Sequence, residues 1–306
     1  MRAKAIVKIC ICGTIALVLA SMLVSLLALP RVLDWKIGDL SFHWIDDHGS
    51  DEGYTVGEAS VSGEVRELDV SWLSGSVTVE LTDGDAVTLR EEPQPESSDA
   101  RMRWKLQDGK LTVYSQKSGL TIPTRAKQLT IGIPAGRAGK LQKLSLDLSA
   151  ATASLPALTL RELELDSVSG SVTLTGGSYE NLDFDSTSGD LTVTDAAVGE
   201  LSADTTSGSL TLGGAFETID FDTTSGALHL TASALPRDIS CDTVSGGVTL
   251  TLPENGGFSA ALDSVSGDLT VDGFAGSLHR DEFVYGQGGP AYEFDSVSGD
   301  VHIRCA

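Results

Sequence analysis

From about residue 60 onward, apolar and polar residues alternate in short segments along most of the chain. Leu163-Glu-Leu165 and Val172-Thr-Leu174 are examples, and the same pattern recurs on both sides of a short segment rich in Ser, Thr and Gly. An alternation with a period of two is typical of a β-strand that buries one face. The pattern therefore predicts an all-β structure built of many short strands.

A five-residue segment separates these pairs of strands and repeats along the chain. It begins with Asp, continues with two residues drawn from Ser, Thr and Val, and ends in Ser-Gly. The complete copies begin at Asp166, Asp185, Asp204, Asp222, Asp242, Asp263 and Asp295, and they end at Gly170, Gly189, Gly208, Gly226, Gly246, Gly267 and Gly299. Successive Asp residues lie 19, 19, 18, 20, 21 and 32 positions apart. This nearly constant spacing indicates an internal structural repeat.

Two short strands cannot bury their inward side chains alone, so the repeated units must stack. Stacking at about 4.8 Å pairs the backbones of neighbouring units and closes a continuous core. We therefore predict an all-β, single-stranded β-solenoid with rungs of about 19 residues. A hairpin sandwich is the alternative, since its strands also alternate, but it does not repeat one corner sequence at a nearly fixed period.

The repeated segment is expected to form the corner of each rung. The Ser-Gly step would supply the flexibility for a sharp bend, including a positive φ. The Asp and Ser side chains would cap the amides of the corner. A degenerate copy at Asp147 has Ala150-Ala151 in place of Ser-Gly, which indicates a flatter corner there.

A long uncharged segment near the N-terminus predicts a membrane anchor. Residues 9–29 contain no charged side chain and follow Arg2, Lys4 and Lys8. A segment of this length spans a bilayer as a helix, and basic residues before it keep the N-terminus cytoplasmic. We therefore expect one transmembrane helix in the cell membrane, with the solenoid outside. A cleaved signal peptide is the alternative, although residues 27–30 make a poor cleavage site.

These features divide the chain into three parts. They are a cytoplasmic stub and transmembrane anchor (1–30), a juxtamembrane linker (31–59) and a β-solenoid (60–306). Within the solenoid we expect irregular N-terminal rungs and a cap (60–140), regular repeats (141–271), an insertion (272–291) and the final rung (292–306).

The charge of the chain limits its partners. The formal net charge is −22 over 306 residues. Such an acidic protein disfavours nucleic acid and bare anionic lipid as partners, and it is compatible with divalent cations or cationic wall components. Between Asp166 and Leu278 the basic side chains are Arg237 and His229 alone, so a polysaccharide-cleaving groove is not indicated and we expect no enzyme activity.

Stacking would bring the corner carboxylates into one column, where Ca²⁺ could bridge them. The candidate ligands are Asp166, Asp185, Asp204, Asp222, Asp242 and Asp263. The simpler interpretation is that each Asp caps its own corner in water, with no cofactor. Cys241 falls at an inward position and is expected to be a buried free thiol.

Several of these segments resemble the bacterial "putative adhesin" family of membrane-anchored envelope proteins. The resemblance rests on the Asp-Ser-Val-Ser-Gly-Asp units at 263–271 and 295–303, on residues 108–113 and 129–134, and on the Gly286-Gln-Gly288 step. It covers roughly residues 60–306 and brings no catalytic residues. It implies a structural or adhesive surface module that binds a wall, glycan or protein ligand. The alternative is an envelope-stress or ligand sensor that acts through a membrane partner protein.

Overall fold

The computed structural model describes residues 51–118, 126–279 and 282–306. The predicted membrane segment at 9–29 and most of the predicted linker lie outside these residues. Within the described ranges, no helix has both the length and the apolar character needed to cross a membrane.

The described residues form twenty-two β-strands and two single-turn 3-10 helices. The N-terminal strands are β1 (Thr55–Val56), β2 (Ala59–Val61), β3 (Glu67–Thr82), β4 (Val87–Glu92), β5 (Arg103–Gln107), β6 (Lys110–Tyr114) and β7 (Lys127–Pro134). The central strands are β8 (Lys143–Leu155), β9 (Thr159–Ser167), β10 (Val172–Thr175), β11 (Ser178–Ser186), β12 (Leu191–Thr205), β13 (Leu210–Thr223), β14 (Leu228–Ala232), β15 (Asp238–Thr243) and β16 (Val248–Leu252). The C-terminal strands are β17 (Gly257–Ser264), β18 (Leu269–Asp272), β19 (Ser277–His279), β20 (Glu282–Gly286), β21 (Ala291–Ser296) and β22 (Val301–Cys305), and the 3-10 helices are Ser98–Ala100 and Ala138–Lys140.

The central strands stack as parallel rungs, which confirms an all-β, solenoid-like fold. Each rung has a first strand, a corner and a second strand. First strands pair in register, so that Asp166 lies beside Asp185 and Asp185 beside Asp204. Second strands do the same, since β10 pairs with the start of β12 and that segment pairs with the start of β13. The period-2 pattern predicted this arrangement because every rung buries the same set of positions.

Large and small side chains alternate between neighbouring rungs in the core. Ala203 lies between Phe184 and Phe221, and all three are buried. Cys241 continues this column beside Phe221, is buried and is a free thiol, as predicted. Burial raises the pKa of the Cys241 thiol to about 12, so the sulfur is protonated and behaves as an apolar side chain.

The rungs that are first and last in the sequence, formed by β3 and by β21 with β22, are not at the ends of the stack. Each has paired strands on both sides. β3 pairs with β6 and β7 on one side and with β8 on the other. β21 and β22 pair with β15 and β16 on one side and with β17 and β18 on the other. The segment predicted as the final rung (292–306) is therefore last in sequence but not in space. The predicted insertion (272–291) makes this possible, because its hairpin β19–β20 returns the chain past β17.

Antiparallel strands cover the N-terminal end. β4 pairs with β7, and β5 pairs with β6. On their other sides, β2 pairs with β4 and β1 pairs with β5. Strands β3 to β7 all lie within residues 60–140, where irregular N-terminal rungs and a cap are expected. The predicted linker (31–59) reaches too far, because Thr55 and Val56 already pair with Trp104 and Arg103 as part of the cap.

A buried ion pair anchors this cap. Lys127 Nζ lies 2.6 Å from Glu91 Oε1, and their side chains are 3% and 1% exposed. Both carboxylate oxygens of Glu91 accept from the Met102 amide at 3.1 Å. Lys127 Nζ also donates to the carbonyls of Ala100 and Ser115 and lies 5.0 Å from the centre of the Trp72 ring. Each buried charge therefore has an opposite charge and further hydrogen bonds.

Candidate functional site

The corner aspartates form one continuous column along the stack. Neighbouring rungs place these residues directly opposite one another, and all of them lie on the outside of the corner. In spatial order the column is Asp147, Asp166, Asp185, Asp204, Asp222, Asp242, Asp295 and Asp263. The six predicted candidates are brought together, but Asp295 separates Asp242 from Asp263 because of the threading of the last rung.

In most corners the hydroxyl of the residue after the Asp accepts a hydrogen bond from the amide of the corner Gly. Ser186 Oγ accepts from the Gly189 amide at 2.7 Å, and Thr223 Oγ1 accepts from the Gly226 amide at 2.8 Å. The same bond occurs at Ser167–Gly170, Thr243–Gly246, Ser264–Gly267 and Ser296–Gly299. The prediction placed both the Asp and the Ser side chains in this role. In the structure the Asp points outward, whereas the next residue points into the corner and reaches the amide.

The corner glycines are required by the close approach of neighbouring rungs. A Cβ on Gly189 would lie 2.1 Å from the carbonyl oxygen of Gly170, and one on Gly226 would lie 2.0 Å from that of Gly208. The φ values of these glycines lie outside the left-handed region, so the predicted positive φ is not the reason. At the degenerate copy, β8 runs without interruption through Ala150 and Ala151, which confirms the flatter corner.

A second set of hydroxyls joins the corners to one another. The Ser before each corner Gly donates to a carbonyl of the adjacent rung. Examples are Ser188 Oγ to Val168 O at 3.2 Å and Ser207 Oγ to Thr187 O at 3.3 Å. The Ser and Thr residues of the corner sequence are therefore explained by hydrogen bonds within each corner and between neighbouring rungs.

Neighbouring carboxylates in the column are partly buried and repel one another. Partial burial, with Asp185 and Asp147 beside it, raises the pKa of Asp166 to about 6. Partial burial, with Asp242 and Asp204 beside it, raises the pKa of Asp222 to about 6 as well. Because like charges in neighbouring rungs disfavour ionisation, the column favours protons or other cations close to it.

Two further columns on the same outward face carry acidic residues, separated in some rungs by neutral residues such as Asn181 and Ser202. One column contains Glu162, Glu200 and Asp238, and the other contains Glu164, Asp183, Asp220 and Glu293. From β8 onward, the single basic side chain in the three columns is Lys143, which lies 3.1 Å from Glu162 and 2.6 Å from Glu164. We call these three columns the acidic face. Sequence analysis missed its width, although the polar positions two and four residues before each corner Asp carry the signal.

The acidic face is a line of carboxylates and not a cage. Among the residues that the structure describes, no group of three or more His, Cys, Asp or Glu side chains is arranged to hold a metal ion. Protein Ca²⁺ sites gather six to eight oxygen atoms, some of which can come from water. Calcium binding at the column stays a prediction.

One family model matches most of the chain. Residues 65–304 match the model described as Toastrack DUF4097. The chain belongs to this family. The Toastrack match runs from just before β3 into β22 and includes every rung of the acidic face. It confirms the family resemblance that the Asp-Ser-Val-Ser-Gly-Asp units indicated.

Solved structures resemble this Toastrack chain at low sequence identity. A "putative lipid binding protein" from Parabacteroides distasonis ATCC 8503 is 15% identical, with 83% of this chain and 97% of that chain covered and a TM-score of 0.50. A "putative adhesin" from Parabacteroides merdae ATCC 43184 is 14% identical, with 83% and 97% covered and a TM-score of 0.48. The first likeness supports the fold alone. The search of curated proteins finds no match.

Proposed function

We propose that the chain is a non-catalytic structural or adhesive module of the bacterial envelope, held in the cell membrane by residues 9–29, with the solenoid outside the cell. The acidic face is its binding surface, and its ligand is a cationic component of the wall or of another surface. The observation that carries this proposal is the unbroken acidic column from Asp147 to Asp263 along the stacked strands.

Two physical features support a binding role. A row of like charges at rung spacing produces a strong local potential that concentrates cations. The row is also rigid, because the hydroxyls of residues such as Ser186 and Ser188 fix each corner independently of the carboxylate. The hydroxyl groups therefore hold the corners from which the carboxylates project.

The test compares cells that carry the full chain with cells that carry Asp166→Asn, Asp185→Asn, Asp204→Asn and Asp222→Asn together. We expect the variant to attach to a polylysine-coated surface about tenfold more weakly, and this difference should shrink as salt screens the face. The matched control neutralises four exposed acids elsewhere, with Asp83→Asn, Asp85→Asn, Glu96→Gln and Glu254→Gln.

Equal weakening in both variants would assign the attachment to net charge alone and contradict the proposal. A deletion strain with unchanged attachment and envelope integrity would also contradict it. A deletion strain that changes only an envelope response would favour the sensor alternative, which requires a membrane partner recoverable by crosslinking.

A further inference from the structure

The rung that is last in space has a second strand with one open edge. β18 (Leu269–Asp272) pairs with β22 on one side. Within the described residues no strand pairs with its other side, because the hairpin strand β20 covers only Gly257–Ala261 of the first strand. An open strand edge is a template for pairing with another extended chain.

The backbone groups of this edge alternate between the stack and the exterior. The Val301 amide donates to the Asp268 carbonyl at 3.0 Å, so residue 268 faces the stack. In a parallel pair, alternate residues direct both backbone groups to the same side. The groups of Thr270 and Asp272 therefore face β22, and those of Leu269 and Val271 face outward.

The side chains beside this edge are apolar on the core side. Leu269 and Val271 are half-buried, whereas Val301 and Ile303, their counterparts in the next rung, are 2% and 0% exposed. Val265, at the adjoining corner, is 75% exposed. One more strand with apolar inward residues would bury this surface in the way that every inner rung does.

The outward side chains beside the edge are acidic. Asp268 and Asp272 flank Thr270 on this side, and Asp272 Oδ2 lies 2.7 Å from His302 Nε2. A second copy of the chain would place its own Asp268 and Asp272 against these carboxylates, and like charges on adjacent strands are destabilising. A strand with Lys or Arg at its outward positions would instead form opposite-charge pairs.

We propose that the β18 edge binds an extended basic segment of a partner protein by strand addition. The partner's apolar residues would cover Leu269 and Val271, and its Lys or Arg residues would lie beside Asp268 and Asp272. Backbone hydrogen bonds supply affinity in this mode of recognition, and alternating side chains supply specificity. The surface is distinct from the acidic face, so the two proposals stand or fall separately.

The test uses the full chain and the probe peptide Lys-Val-Lys-Val-Lys-Val-Lys, with both termini blocked. Hydrogen exchange followed by mass spectrometry should show new protection at residues 265–273. The control peptide has the same sequence with N-methyl groups on its third, fourth and fifth residues, so it keeps the charge but lacks the central N–H donors in either strand direction, and it should protect this segment much less. Protection elsewhere alone, equal protection by both peptides, or no protection would overturn the proposal.

Two variants sharpen the assignment. Val271→Pro removes an outward N–H while leaving the bonds to β22, and it should abolish peptide-induced protection. Asp268→Lys with Asp272→Lys should weaken binding of the Lys-Val probe about tenfold and create binding of a Glu-Val probe of the same length. Asp183→Asn with Asp220→Asn, on the acidic face, is the matched control and should leave the protection at 265–273 unchanged.

If Val271→Pro fails to fold, the charge reversal still decides the matter. An unchanged preference for the Lys-Val probe in the reversed variant would contradict the proposal. Protection of the edge that rises with protein concentration in the absence of peptide would identify a second copy as the occupant and would likewise overturn it.

Discussion

The two ends of the solenoid are closed by different means. At the N-terminal end, antiparallel strands cover both β6 and β7, and the Glu91–Lys127 pair ties the segment around Met102 to the cap. At the C-terminal end, the hairpin β19–β20 covers only the first strand of the last rung and packs Phe283 and Tyr285 against Phe258. The N-terminal end is thus fully covered and contains a buried ion pair. The C-terminal end is covered on one strand only, through contacts between aromatic rings. A sealed end protects the stack, whereas a half-open end can also bind.

The largest expected effect comes from breaking the N-terminal seal. Lys127→Met should lower the free energy of unfolding by about 3–5 kcal/mol, because it leaves the Glu91 carboxylate buried without its cation. Chemical denaturation followed by circular dichroism measures this loss. Arg90→Met, which removes the exposed partner of Glu92, is the control and should cost less than about 1 kcal/mol. Equal losses in the two variants would contradict the buried pair's role.

The corner glycines allow the interior to be compared with the open end. Gly226→Ala should cost about 1–3 kcal/mol, because its Cβ meets the Gly208 carbonyl between two rungs that cannot separate. Gly267→Ala has a similar clash of 2.0 Å with Gly299 O but lies in the terminal rung, which can shift, so its cost should be smaller. Gly136→Ala, where the Cβ meets open space, is the control for thermal unfolding. A larger loss at Gly267 than at Gly226 would contradict the comparison.

The pH dependence of stability tests the column between the two ends. The pKa values of Asp166 and Asp222 are about 6 in the folded chain, above the ordinary value of about 3.9 for Asp. A raised folded pKa means that the stabilisation is fully present below about pH 4 and is lost as the pH rises through about 6. The column should therefore make the unfolding midpoint higher at pH 5 than at pH 7.5.

The matched variant for this experiment is Asp166→Asn with Asp222→Asn. It should raise the midpoint at pH 7.5 and flatten the change between pH 5 and pH 7.5. An unchanged slope in this variant would show that the pH dependence originates outside the column.

The smallest expected effect is that of divalent cations. If Ca²⁺ binds the column with a dissociation constant on the order of 1 mM, then 1 mM Ca²⁺ should stabilise the fold by about 0.4 kcal/mol relative to EDTA. The increment should disappear in Asp166→Asn with Asp222→Asn. An increment of the same size in the wild type and the variant would place the ion elsewhere, and the absence of any increment would leave the column without Ca²⁺.

The repeated rungs could be predicted from the sequence because every rung has the same alternation of apolar and polar residues and the same corner sequence. Alternation placed Phe184 and Ala203 in the core, and the corner sequence placed Asp185 beside Asp204. The threading of the last rung could not be predicted in this way. The corners at Asp263 and Asp295 have the same sequence, Asp-Ser-Val-Ser-Gly. The local pattern therefore does not distinguish which of the two rungs lies next to Asp242.

The N-terminal cap and the role of the corner Asp also needed the structure. Glu91 and Lys127 are far apart in sequence and look like ordinary surface charges, so only the folded backbone reveals that both are buried. The Asp and the hydroxyl that follows it are adjacent and can both cap an amide. Because adjacent side chains of a strand face opposite sides, only one of these two residues can face inward. In the structure it is the residue after the Asp, such as Ser186.

The inner position of β21 and β22 has a mechanical consequence. Residues 291–305 are hydrogen-bonded along both sides, to β15 and β16 and to β17 and β18. A pull on the C-terminus therefore loads two rows of hydrogen bonds in shear, whereas a terminal outermost rung would peel away one bond at a time. The same geometry holds β3 between its neighbours near the other end of the stack. A chain pulled from its C-terminus would thus resist tension at β21 and β22, where the force enters.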